Sequence, residues 1–391
     1  MPSEGSPRGD AHDPSAVPAR GRDSAGFLSR NAGKLVASAL ITASIVWALK
    51  KGGLKIIPAD ISVFQHVKWW TVPAYALTFL AMTWFRAVRW RFLLRSFVVI
   101  PKRRTFAISC IGFAAILLLP FRLGELVRPY LVREKGKVSL AAATGTVVGE
   151  RVVDGLFLSG LLAIALVTVP HLVPLPETVV GLPIRVQHVR TSGFVMLGVF
   201  ATAFVTIFVF YFARDFARRA TLAVFGIVSR RLGEKLAEIA EKLANGLRAF
   251  GSARDAGGFL LETSVYWLIN AFGMWMLAWG CGVVHADGSP ITFGESFALM
   301  GMLGVTVLIP GPPGLLGVFH AGIYAGMSMY FPESVVIGAG AAYVFLLYAS
   351  QLTLSTALGA FFFFTHKAEV RDAMDARNNE SATLPPEPTP P

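Results

Sequence analysis

Apolar runs of bilayer-spanning length set the terms for this chain. A bilayer core about 30 Å thick is crossed by about 20 apolar residues in helical form. Stretches that meet or approach this length occur at 35–49, 69–85, 140–170, 192–213, 259–284 and 333–364. Composition agrees. The 391 residues are 54% hydrophobic and 15% charged, whereas a soluble domain carries about 25% charge. There is too little polar side chain to wet a protein of this size. That excludes most cytosolic enzymes, disordered regulators and nucleic-acid binders. The formal charge of +12 does not restore a nucleic-acid partner. The basic residues flank the apolar runs, where they act as topology signals and lipid-head contacts.

Two further apolar stretches are interrupted. One, 105–120, stops at Pro120 and is followed at once by FRLGELVRPYLVREKGK. The other, 293–331, is cut by PGPPGLLG at 310–317. Proline removes a backbone donor and clashes with the preceding turn. Broken backbone at membrane depth is tolerated only inside protein or along a wet cavity. Both stretches are therefore expected to be re-entrant hairpins rather than spans. The predicted fold is an all-α polytopic membrane protein of about six full transmembrane helices plus two such hairpins. With both termini in the cytoplasm, the cytoplasmic pieces hold 29 Lys and Arg and the outer pieces hold 6, which follows the positive-inside rule. Making 105–120 a span would expel one of its basic flanks. Four of the six outer charges, Lys50, Lys51, Lys55 and Lys68, cluster in 50–68 against the trend.

The ends are polar. Residues 1–30 and 367–391 are rich in Gly, Pro, Ser and charge and are expected to be disordered cytoplasmic segments. They bracket a membrane domain at 31–366. Within it, 214–254 is a basic connector in which Leu232, Leu236, Ile239, Leu243, Leu247 and Phe250 recur at steps of three and four. That spacing makes one apolar helix face, lying on anionic headgroups or packed under the bundle. Cys110 and Cys281 read as small buried hydrophobes. No metal-ligand set or nucleotide loop is present, so neither a cofactor nor a metal is expected.

Ionisable residues inside a span are costly and mark function by default. Arg122, Glu125 and Arg128 recur at steps of three and share a helical face. Two guanidinium groups beside fresh helix N-termini suit a phosphate, which Arg binds bidentately. An Arg–Glu–Arg triad that only staples the hairpin is the structural alternative. Glu150, Arg151 and Asp154 lie about ten residues into the 140–170 run, spaced to face the bundle interior. They read either as part of a polar lipid-head or proton path or as a self-neutralised network, with Arg122 or Arg128 balancing the residual negative charge. The carboxylates also have the form of an acid/base pair, but no nucleophile accompanies them and no catalytic residue is assigned.

In the second half, Pro310, Gly311, Gly314 and Gly317 form the turn of the hairpin, with His320 on the returning arm. The glycines allow close backbone approach or positive φ, and exposed N–H groups there can form an anion nest. A lone His in such a place more often serves packing. Glu262, Tyr266, Asn270, Glu295 and Gln351, taken singly, read as links between helices. Each half of the chain has a short apolar arm ending in proline, a glycine-containing return and a long apolar helix, so an inverted repeat is expected.

RAVRWRFLL (86–94), LLPFRLGELVRPYLV (118–132), GERVVDGL (149–156) and PGPPGLLGVFHAG (310–322) resemble the flippase-like membrane domain of bacterial lysylphosphatidylglycerol synthases, over roughly 30–366. That resemblance implies a polytopic inner-membrane protein that moves or accommodates a lipid. In the fused synthases the membrane domain transfers aminoacylated phosphatidylglycerol, and a separate cytoplasmic domain performs aminoacyl transfer. Here the expectation is a stand-alone member without that catalytic domain. Where the family carries an acidic residue after its Pro-Gly-Gly turn, this chain has His320, which suits a plainly anionic headgroup better than a lysyl-lipid. The expected partners are anionic membrane lipids, and no oligomeric state follows. The alternative is a scaffold that docks a separately encoded lipid-modifying transferase through 214–254. A membrane-embedded transferase acting on a lipid-linked sugar ranks last.

Overall fold

The computed structural model describes residues 57–58, 60–119, 124–133, 138–179, 185–212, 252–307 and 313–366, with isolated positions between 212 and 252. These residues fold entirely as helices and connecting turns. In order they form α1 (Thr71–Val88), α2 (Trp90–Leu94), α3 (Lys102–Leu118), α4 (Val127–Val132), α5 (Leu140–Thr168) and α6 (Val186–Phe212). After the connector come α7 (Ala253–Gly280), α8 (Phe293–Val307), α9 (Val318–Met327), α10 (Glu333–Ile337) and α11 (Ala339–Thr365). The expected spans 69–85, 140–170, 192–213, 259–284 and 333–364 coincide with α1, α5, α6, α7 and the α10–α11 pair. The span 35–49 and the connector 214–254 (save a few isolated positions) lie outside the described residues, as do 1–30 and 367–391.

Local chemistry starts and stops these helices. The Ser139 hydroxyl accepts from the Ala142 N–H at 3.1 Å and caps α5. Ser252 caps α7 in the same way. Thr292 and Glu295 form a reciprocal capping box at α8. Past the end of α7, Gly282 takes φ +80°, the left-handed conformation that closes a helix without a Cβ penalty. The long helix expected at 333–364 is broken at Gly338, which separates α10 from α11.

Three segments, Leu140–Thr168, Val186–Thr206 and Glu333–Thr365, are long and apolar enough to cross a membrane. Their outward faces carry Ile164, Val167, Val195, Val199, Phe361 and Phe364, all exposed. An apolar surface of that extent suits lipid, not water. Trp69 and Trp70 are exposed at the start of α1, and Lys68 sits 3.3 Å from the Trp279 ring at the end of α7. Such aromatic-basic pairs belong at a bilayer interface.

Helices α1 and α7 pack along most of their length and run antiparallel. Thr71 faces Gly280, Thr78 faces Gly273 and Phe92, just past α1, faces Gly258. Around this pair the packing is reciprocal, because α3 lies on α11 while α8 lies on α5. Glycines allow the close crossings, with Gly359 of α11 against Ala114 of α3, and Gly301 and Gly304 of α8 against Leu162 and Leu158 of α5. The turns of the two expected hairpins, 120–123 and 308–312, lie outside the described residues, and the arms on either side are described. Gly124 lies on the backbone of Ala115 and Ile116, and Gly322 and Gly326 of α9 lie back along α8.

Candidate functional site

The site is built where α1 ends. The apolar helix runs into Arg86 and Arg89, and Arg89 is completely buried. One terminal nitrogen of Arg89 donates to the Thr263 hydroxyl at 2.7 Å. The other donates to Glu150 at 3.0 Å and to Asp154 at 2.7 Å. Asp154 accepts on its second oxygen from the Tyr266 hydroxyl at 2.6 Å. Glu150 presents its second oxygen to Arg128, 3.0 Å away. Arg151 approaches Glu150 at 3.5 Å and Asp154 at 3.8 Å. Residues from α1, α4, α5 and α7 thus meet in one ionic lattice.

Aromatic faces stand beside these cations. Arg128 stands 4.3 Å from the Trp90 ring, whose indole N–H is bonded to Thr146, and Arg89 stands 4.5 Å from Tyr266. The absence of a side chain at Gly112 lets Arg128 lie against α3. Two further pairs, Arg91 with Glu262 and Arg95 with Asp255, tie the segment after α1 to α7.

A cavity of about 330 Å³ opens beside the lattice. Arg86, Glu125, Arg151, Asp154 and Tyr266 line one side. Phe79, Met82, Ile116, Leu303 and Val307 line much of the rest, with Asn270, Tyr348 and Gln351 adding neutral polar groups. The arrangement puts charged and apolar surfaces side by side in one space.

The sequence-derived residues fare differently. Glu125, Arg151 and Asp154 line the cavity, while Glu150 and Arg128 are buried behind it. Arg128 pairs with Glu150 of α5. Gly314 lines the cavity with φ +73°, and its carbonyl accepts from Tyr348 at 3.0 Å. Gly317, at φ +83°, caps α9. His320 is buried behind the wall, its ring 4.7 Å from that of Tyr348. Arg122, Pro310 and Gly311 lie outside the described residues. Arg86, Arg89 and Thr263 were not picked out by sequence reasoning. The two arginines count there as loop charges, although their spacing of three at the end of an apolar helix is a signal of a shared inner face. Tyr266, read singly as a helix link, is both that and a cavity wall.

A helical bundle with lipid-suited outer faces and an ionic lattice beside an internal cavity defines a multi-pass membrane protein with a buried polar site. The chain belongs to the family of the lysylphosphatidylglycerol synthase TM region, whose model matches residues 34–362. It is 24% identical over 278 residues to a UPF0104 membrane protein of Methanothermobacter thermautotrophicus, covering 65% of this chain and 75% of that protein. It is 25% identical over 323 residues to Glycosyltransferase AglD of Haloferax volcanii, covering 79% of this chain and 51% of that protein. No solved structure matches.

Proposed function

We propose that this protein binds an anionic phospholipid or lipid-linked headgroup and translocates it across the cytoplasmic membrane. The observation that carries this reading is the cavity that joins the charged groups of α5 to an apolar wall. Both ends of an amphiphile find their chemistry there. In this reading the domain spans 31–366, crosses the membrane with six helices and two re-entrant hairpins, and keeps both termini in the cytoplasm. The reciprocal packing of α3 on α11 and α8 on α5, about an antiparallel α1–α7 pair, supports an inverted repeat. A site between inverted repeats is suited to alternating access.

Transport is favoured over catalysis by this chain, because Glu150 and Asp154 are engaged by Arg89, Arg128 and Tyr266. A carboxylate held between guanidinium groups is a poor general base. The likeness to a protein named as a glycosyltransferase supports a second reading, in which this domain serves a separately encoded lipid-modifying transferase.

The test is reconstitution into proteoliposomes with trace fluorescent phosphatidylglycerol or phosphatidylethanolamine, read by dithionite accessibility. Protein-dependent loss of protected signal, absent in Arg122→Ala, is the expected result. No protein-dependent loss with either lipid would favour the partner-subunit reading.

A further inference from the structure

The lattice sets three guanidinium groups, those of Arg89, Arg128 and Arg151, against the carboxylates of Glu150 and Asp154, and Arg151 also lines the cavity. The cavity has one further arginine. Arg86 lines it, and among the described residues no carboxylate pairs with its guanidinium group, which rests 4.4 Å from the Phe113 ring. On the neighbouring helix α7, Trp267 also lines the cavity, and its buried indole N–H has no acceptor among the described residues. Asn270 lines it too, and the one partner of its amide N–H group among the described residues is the Met274 sulfur at 3.9 Å.

The helix register brings these three donors together. Thr78 faces Gly273, Arg89 bonds Thr263 and Phe92 faces Gly258. Arg86 is therefore level with the turn that holds Tyr266 and Trp267, and Asn270 is one turn further along. Buried donors without acceptors are rare, and each needs an explanation. Here the Trp267 indole N–H is such a donor, and the Arg86 guanidinium and the Asn270 carboxamide line the same cavity, which also takes in Glu125 and Asp154.

We infer that Arg86, Trp267 and Asn270 form the subsite that receives the phosphate group of the bound amphiphile, with the Arg89–Glu150–Asp154–Arg128 lattice serving as its rigid support. Arg86 supplies the charge-assisted hydrogen bonds. Trp267 and Asn270 supply neutral donors that select an oxyanion over an apolar chain. The inference rests on the lipid-binding reading and names the chemistry by which that cavity recognises its ligand.

The experiment uses the purified full-length protein in detergent. It is titrated with dioctanoyl-phosphatidylglycerol, with dioctanoylglycerol and with inorganic phosphate, and complexes are quantified by native mass spectrometry. The wild type is expected to hold the phospholipid at least tenfold more tightly than the diacylglycerol. Arg86→Gln is expected to lose about tenfold in phospholipid affinity and nothing in diacylglycerol affinity. Trp267→Phe, which keeps the ring and removes only the N–H, is expected to lose severalfold, and it decides the matter if Arg86→Gln does not fold. Unchanged phospholipid binding by the folded variants overturns the subsite while leaving the lipid reading intact. Failure of the wild type to hold the phospholipid overturns the lipid reading and the subsite with it. Inorganic phosphate competing as tightly as the lipid overturns the assignment to an amphiphile and makes the ligand a free anion.

Discussion

Arg89 is the residue on which the interior depends. It is fully buried and holds Glu150, Asp154 and Thr263 at once. Replacing one member of a buried pair leaves the other charge unmatched, which costs about 3–5 kcal/mol. Arg89→Met is expected to lose that much in unfolding free energy, read from denaturant titration in detergent. Tyr266→Phe removes only the hydroxyl that bonds Asp154 and should cost about 1–3 kcal/mol. Near-wild-type stability of Arg89→Met would mean that the lattice is not structural. Glu150 and Asp154 were legible in sequence, because carboxylates ten residues into an apolar run have no cheap place except a protein interior. Arg86 and Arg89 were not. Hydropathy ends the span at Phe85, and arginines just beyond a span look like interfacial anchors until α7 is seen to cover them.

At the scale of elements, close crossings govern the architecture. Gly359 lies against Ala114 and the Cys110 carbonyl where α11 meets α3. Gly359→Leu has to push two helices apart and is expected to cost roughly 1–3 kcal/mol, seen as a lowered unfolding midpoint. Gly198 of α6 has open space where a Cβ would stand, so Gly198→Ala should leave the midpoint unchanged or slightly raised, since Ala is the better helix former by about 1 kcal/mol. Equal effects from both changes would contradict the packing. Helix positions were readable from apolar run length, but partners were not. The pairing of α3 with α11 joins segments more than 200 residues apart, and no local pattern encodes it.

For the whole molecule, the charge asymmetry predicts orientation. In a background free of Cys110 and Cys281, Asp287→Cys should react with a membrane-impermeant maleimide added to intact cells, and Arg254→Cys should react only after permeabilisation. Arg254 lies in the first turn of α7 and Asp287 lies beyond its C-terminal end, so labelling of both from one side would refute its crossing. The reverse pattern would invert the assigned topology.

The sequence by itself determined the membrane class, the helical fold and the family. Each follows from chemistry that acts locally: apolar run length and a motif at fixed spacing. Only the tertiary structure decided which charges neutralise one another and which remain turned to the cavity. Glu125, Arg128 and Arg151 were visible as charges from the start. Their partners depend on how α1, α4, α5 and α7 pack, and a cation's role inside a membrane is defined by whichever carboxylate the fold brings within a few ångströms of it.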